Sequence, residues 1–273
     1  MQLRVYHGFI ILEAKVPKFE ANLQFMYNEY DLIDRYEQAS KSGFKGVELQ
    51  APYSLEIDQI REKLDLYQLK HVIINLPVQD PDSNLANIAL RPDRKDLFLE
   101  RLELGINYAS QLGCIGINTG IGTKPENFDD EEIYNTLVEN QRIASEKLLE
   151  KNIKALIEPI NTVDQPGFFI NTSKQGIDLI EKINHDNAYL LYDVYHMQIM
   201  EGDLSRTIIE LKDKIGHIQI ADNPGRNEPG TGEINYTHIF NLLDTINYSG
   251  WVGCEYSPLH NTHDSLYWIK NHL

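Results

Sequence analysis

The chain has 273 residues, 42% of them apolar and 24% charged, an ordinary composition for a globule with one sizeable core. Its formal charge of −16, from 41 acidic against 25 basic side chains, repels polyanions, and no Lys/Arg-rich block supplies the basic stripe that nucleic acid requires. The two cysteines, Cys114 and Cys254, each lie in an apolar run without a CxxC pattern, and no apolar run approaches the about 18 residues of a membrane span. Buried free thiols, a reducing compartment and a cytoplasmic location are therefore expected.

Residues 1–17 (MQLRVYHGFIILEAKVP) carry a short apolar stretch interrupted by Glu13 and Lys15, without the pattern of a signal peptide. They read as an N-terminal extension, with the domain running from 18 to 273. From residue 19, short β-rich runs alternate with amphipathic stretches. Strands are predicted at 19–24, 46–49, 71–75, 114–118, 153–157, 188–192, 217–220 and 252–254. Helices are predicted at 31–41, 55–67, 93–111, 130–151, 173–183, 204–213, 236–246 and 264–271. Asp93, Thr172 and Ser173 stand where a side-chain oxygen can take the unpaired N–H groups of a first helical turn. Gly43, Gly113 and Gly250 stand where helices hand over to strands, the place for a left-handed terminating residue. Eight βα units in regular order predict a single (β/α)8 TIM barrel, for which roughly 250 residues is typical. The rival, an open doubly wound sheet, would prefer a Gly-rich phosphate loop after an early strand. Gly113, Gly116, Gly120 and Gly122 do not have that spacing. The long segment 77–92 would follow the third strand and sit over the active face.

The informative pattern lies in the second half. Four apolar strands each end in a residue able to ligate a metal: ALIE at Glu158, LLYD at Asp193, HIQ at Gln219 and VGCE at Glu255. They recur about one βα unit apart, so a parallel barrel brings them to one rim, where barrel strand ends carry catalysis. Each acid alone could cap a helix or pair with a surface Lys; the recurrence on successive strands favours a shared site. Side chains alternate along a strand, which puts His217 and Gln219 on one face. Three carboxylates and an amide oxygen form a hard-oxygen set suited to Mg²⁺ or Mn²⁺, with Zn²⁺ left open. Without a cation, converging carboxylates repel and some stay protonated. His196, three residues after Asp193, could donate to a substrate oxygen. In the Pro/Gly-rich loop 221–233, Arg226 could supply the cation an anionic substrate needs, its planar fork matching a carboxylate.

The runs IEPINTVDQPGFFINT, YDVYHMQIMEGDL, GHIQIADNPGRNEPGTGEINY and GWVGCEYSP resemble the hydroxypyruvate isomerase family, a branch of the xylose-isomerase-like TIM barrels that also holds ketose 3-epimerases. FEANLQFMYNEY, GFKGVELQAPYS and INLPVQD extend the resemblance from about Phe19 to Glu255, leaving residues 1–17 without a counterpart. The resemblance implies that Glu158 and Glu255 are the catalytic acid/base pair. It implies that Glu158, Asp193, Gln219 and Glu255 hold the metal and that His196 and Arg226 contact substrate. Epimerase relatives carry His where this chain has Gln219, which keeps a ligand atom and changes its basicity. The implied reaction interconverts hydroxypyruvate and tartronate semialdehyde by a proton shift through an enediolate, in glyoxylate and carbohydrate metabolism. A 2-oxo-tetronate isomerase and a ketose 3-epimerase are the alternatives on the same scaffold, and a non-catalytic sugar-acid binder is a third. A metal-dependent abasic-site endonuclease shares the barrel, but it wants more inward His ligands and a basic face. The expected partner is a small hydroxy-oxo acid, without nucleic acid or membrane, and a homo-oligomer is left open.

Overall fold

The computed structural model describes residues 17–270 together with two short strands ahead of them, β1 (Leu3–Tyr6) and β2 (Phe9–Leu12). These two pair antiparallel as a sheet of their own. The rest of 1–16 and the last residue of the helix expected at 264–271 lie outside the described residues.

The main sheet is parallel throughout. Its strands are β3 (Lys18–Asn22), β4 (Gly46–Glu48), β5 (Lys70–His71), β6 (Ile73–Asn75), β7 (Gly116–Asn118), β8 (Lys154–Ile157), β9 (Ala188–Asp193), β10 (Ile215–Ile220) and β11 (Trp251–Cys254). Their order is β5-β4-β3-β11-β10-β9-β8-β7-β6. β5 and β6 are two halves of one stave, interrupted at Val72. The Val72 N–H donates to Val47 O on β4 at 2.8 Å, and its carbonyl accepts from Ile115 N, next to β7, at 2.9 Å. A single residue thus joins both neighbours and closes the ring, so the expected strand 71–75 is present but broken. The (β/α)8 TIM barrel is the observed architecture.

The outer layer comprises α1 (Arg35–Lys41), α2 (Ile57–Tyr67), α3 (Lys95–Leu112), α4 (Asp130–Leu149), α5 (Ser173–Ile183), α6 (Val194–Met200), α7 (Leu204–Leu211), α8 (Tyr236–Thr245) and α9 (Thr262–Ser265). Each long helix buries one stripe. On α5 the buried positions Gly176, Leu179, Ile180 and Ile183 follow helical spacing, and the helix starts on a capping box between Thr172 and Gln175. Asp93 does not cap α3. A 3₁₀ turn (Pro92–Arg94) precedes that helix, and the Asp93 carboxylate instead takes two N–H groups of Arg91, at 3.0 and 2.6 Å. Gly43 and Gly113 have positive φ as expected. Gly250 does not; it is small because Tyr248 passes over it, and a Cβ there would stand 2.4 Å from the phenol oxygen.

Two layers fill the barrel. At the N-terminal end Val72, Ile73, Leu156 and Leu191 pack with Tyr189 and Trp251. Gly46 lies against the Trp251 ring and Gly216 against Tyr189 and Leu156, so small residues admit large ones across the ring. The register of β10 on β9 slips at Gly216. Beyond that slip His217 and Gln219 both reach inward, and the C-terminal half of the barrel is polar.

The segment 77–92 is folded around a buried acid. Asp80 pairs with Arg91 and Arg94 and takes the Asp82 N–H at 3.2 Å. An isolated bridge joins Gln79 to Ala86. The glycines after β7 serve this segment: a Cβ on Gly122 would overlap Ala86 O at 1.8 Å.

Candidate active site at the strand C-termini

Every stave ends in a polar side chain. In chain order these are Asn22, Glu48, Asn75, Asn118, Glu158, Asp193, Gln219 and Glu255, all buried except half-buried Asn75. In register Asn22 faces Glu48, Asn75 faces Asn118, and Gln219 faces Asp193. A cavity of about 410 Å³ opens above them, lined among others by Phe25, Gln50, Glu158, His196, Arg226 and Glu255. Glu158 and Glu255, far apart in the chain, therefore share one cavity.

Each acid is held differently. Glu158 accepts from Asn118 Nδ2 at 2.6 Å. Burial and the neighbouring Asp193 push its carboxyl up to about 8, against the opposing pull of Arg226 and Asn118. Asp193 caps α6 with Oδ1, which takes the N–H groups of Tyr195 at 2.7 Å and His196 at 3.3 Å. Glu255 accepts from Arg226 Nη2 at 2.5 Å, yet burial still carries its carboxyl well above the usual range. Ligand-capable atoms of Glu158, Asp193 and His196 lie within 4.8 Å of one another.

His196 is fixed in one tautomer. Asn161 Oδ1 takes the N–H groups of Val163 at 3.0 Å and Asp164 at 2.8 Å, so the amide nitrogen of Asn161 is the end that faces the imidazole. That nitrogen only donates, and it lies 2.6 Å from Nδ1. Nδ1 must accept, and the ring proton sits on Nε2. Nε2 lies 3.6 Å from Asp193 Oδ2 and 3.8 Å from Glu158 Oε1. Burial also pushes the imidazole below its usual range, partly offset by Asp193. His196 is a neutral donor aimed at the acids.

Arg226 is positioned by a rigid loop. Asp222 organises 222–234 by accepting the N–H groups of Gly230, Gly232 and Ile234 at 2.8, 2.9 and 3.0 Å. The guanidinium lies between the rings of Phe25, 4.8 Å away, and Tyr195, 5.2 Å away. Burial disfavours its charge, but Glu255, Asp193 and Glu158 outweigh this and hold its pKa up. Its Nε is buried without a partner. Among the described residues lining the cavity, Arg226 is the only Lys or Arg.

The donor set fits a divalent cation. Asp193 Oδ2, Gln219 Oε1 and Glu255 Oε2 are buried without a hydrogen-bond partner. Such oxygens, on three of the four ligands expected from the sequence, are costly unless something positive meets them. They are hard ligands, the chemistry of Mg²⁺ or Mn²⁺.

The sequence reading missed a second buried group. Glu20, Glu48 and His217 meet inside the barrel beneath the cavity. His217 Nε2 lies 3.0 Å from Glu20 Oε1, out of hydrogen-bond alignment, and 3.4 Å from Glu48 Oε2. Burial pushes Glu20 up to about 8, while the two acids outweigh burial and raise His217 to about 9. The signal was available: KFEAN and GVELQ each carry an acid inside a strand whose neighbours are apolar.

A barrel whose polar strand ends converge on one acid-lined cavity defines the class. The chain belongs to the xylose isomerase-like TIM barrels, whose family model matches residues 36–272, and within them to the hydroxypyruvate isomerase family; it is an isomerase. It is 44% identical over 252 residues to the hydroxypyruvate isomerase of Escherichia coli (strain K12), covering 92% of this chain and 98% of that one. It is 35% identical over 257 residues to a 2-oxo-tetronate isomerase of Haemophilus influenzae, covering 94% and 100%. A crystal structure from Brucella melitensis described as an AP endonuclease of family 2 superimposes with a TM-score of 0.91 at 36% identity, covering 94% of this chain and 99% of that one. Among the described residues no helix is long and apolar enough to cross a membrane.

Proposed function

We propose that the protein interconverts hydroxypyruvate and tartronate semialdehyde, with Glu158 and Glu255 as the proton-transferring pair. The observation that carries this reading is the meeting of both acids with Arg226 around one cavity. Arg226 binds the substrate carboxylate; among the described residues lining the cavity it is the only Lys or Arg. One glutamate removes a proton from the hydroxymethyl carbon, and a proton is delivered to the former carbonyl carbon from the other glutamate or the same one. The hydroxyl proton moves from one oxygen to its neighbour, so the product is an isomer. His196, holding its proton on Nε2, donates to the substrate oxygen on which negative charge builds. Phe25, Phe168 and Leu76 line the cavity and limit water.

Glu158, Asp193, Gln219 and Glu255 would hold a divalent cation, Mg²⁺ or Mn²⁺. When bound, it supplies Lewis-acid stabilisation of the negative charge created by proton removal. The reading takes residues 18–273 as the working domain, 1–17 as an extension, and the location as cytoplasmic. The −16 charge and the single cation in the cavity wall argue for a small acid and against nucleic acid as the substrate. A four-carbon 2-oxo-tetronate is the second reading, supported by the 35% identity to a 2-oxo-tetronate isomerase over nearly the whole chain.

The test is solvent exchange. In D₂O the enzyme should place deuterium on the carbon-bound positions of hydroxypyruvate, and chelator should suppress the exchange. Binding of hydroxypyruvate without any exchange would mean a sugar-acid binder instead. Faster turnover of the four-carbon acid would select the second reading.

Asn161→Asp probes the His196 tautomer. Asp keeps the acceptor for the Val163 and Asp164 N–H groups but now faces Nδ1 with an acceptor, which draws the ring proton away from Nε2 or charges the ring. Turnover should fall about 10²-fold, and the melting temperature should fall too, because the new carboxylate faces Asp164 Oδ2, which took the Asn161 side-chain N–H at 3.1 Å; single-turnover rates of the folded protein well below its melting point separate the two effects.

A further inference from the structure

Glutamine is an ambiguous cation ligand. Its oxygen can coordinate and its nitrogen cannot, and the two ends have nearly the same shape. Something must choose the end that faces Asp193 and Glu255. The barrel interior contains that choice. Gln219 Nε2 donates to Glu48 Oε1 at 3.0 Å, and the same oxygen takes Asn22 Nδ2 at 2.6 Å. An oxygen receiving two amide donors is an acceptor, so the reversed amide would set two acceptors against each other. Gln219 Oε1 is consequently turned the other way, buried and without a partner. Glu48 is held at Oε1 by these two amides, and its Oε2 lies 3.4 Å from His217 Nε2 without a hydrogen bond. Gly253 makes the room: a Cβ there would stand 2.8 Å from Glu48 Oε1 and 3.0 Å from Gln219 Cγ.

We infer that Glu48 is a positioning residue, which holds the Gln219 amide so that its oxygen faces the cation site. The inference rests on the reading of Gln219 as a ligand given above.

The experiment measures Mn²⁺ affinity of the full chain by EPR titration, with circular dichroism confirming the fold of each variant. Gln219→Leu should weaken Mn²⁺ binding; affinity equal to the wild type would remove Gln219 from the ligand set and overturn both the reading and the inference. Glu48→Met, which deletes the acceptor at similar volume, should weaken binding about 10- to 100-fold. Glu48→Gln, which keeps an acceptor oxygen, should retain most of the affinity. In the Gln219→Leu background Glu48→Met should have no further effect, since the amide it orients is gone. Equal losses in Glu48→Gln and Glu48→Met, or additive losses with Gln219→Leu, would mean that Glu48 acts through its charge, and the inference would fail. If Glu48→Met does not fold, Gly253→Ala carries the same cycle, because its Cβ forces Glu48 and Gln219 apart. It should lower affinity in the Gln219 protein and not in the Gln219→Leu background, and unchanged affinity in the Gln219 protein overturns the inference.

Discussion

Glu158→Gln and Glu255→Gln should each reduce turnover of hydroxypyruvate by about 10³- to 10⁴-fold, the scale of a lost acid or base positioned at the reacting carbon. Both substitutions preserve volume and an oxygen acceptor. The hydrogen bond from Asn118 to Glu158 and that from Arg226 to Glu255 can each be remade to the amide oxygen. Burial and the neighbouring Asp193 push Glu158 up in pKa, so its neutral replacement should leave the melting temperature unchanged or raised, whereas Glu255→Gln takes from Arg226 its closest counter-charge and should lower it. The decisive readouts are therefore kcat and the rate of deuterium exchange in D₂O at equal Mn²⁺ saturation, which separates proton transfer from cation binding. Near-wild-type exchange in both variants at saturation would remove the pair from the chemistry.

Arg226→Met should lower kcat/KM for hydroxypyruvate about 10²- to 10³-fold, mostly through KM, because a desolvated charge partner for a carboxylate is lost. Met keeps apolar bulk between Phe25 and Tyr195, so the wall of the cavity should hold. The loop itself is built on Asp222 and does not depend on the guanidinium. A neutral ketose makes the comparison sharp. If Arg226 reads the carboxylate, any slow turnover of a ketose should be little affected or improved; an equal loss on both substrates would assign Arg226 to Glu255 alone.

Much of the barrel was legible because its elements repeat. Alternating strands and 3.6-residue helices announce themselves locally, and the order of βα units leaves few topologies. The acids at 158, 193 and 255 stood out for the same reason, each closing an apolar run. The break of the third stave at Val72 was not legible, since it reflects hydrogen bonds to two neighbours at once. Nor was the role of Asp93, whose carboxylate found Arg91 before it could cap a helix. Segment 77–92 was placed over the cavity, but its anchoring by the buried Asp80 follows from contacts with Arg91 and Arg94 across the turn.

The amino-acid order by itself determined which side chains stand at the C-terminal ends of the strands, because strand alternation and parallel winding convert position in the chain into position on the rim. Only the folded barrel decided which of those side chains touch. Glu48 and Gln219 are 171 residues apart, and no local periodicity relates them. Their meeting, like the tautomer of His196, depends on the register of staves around a closed ring and on the low-dielectric interior that makes each unpaired donor or acceptor costly.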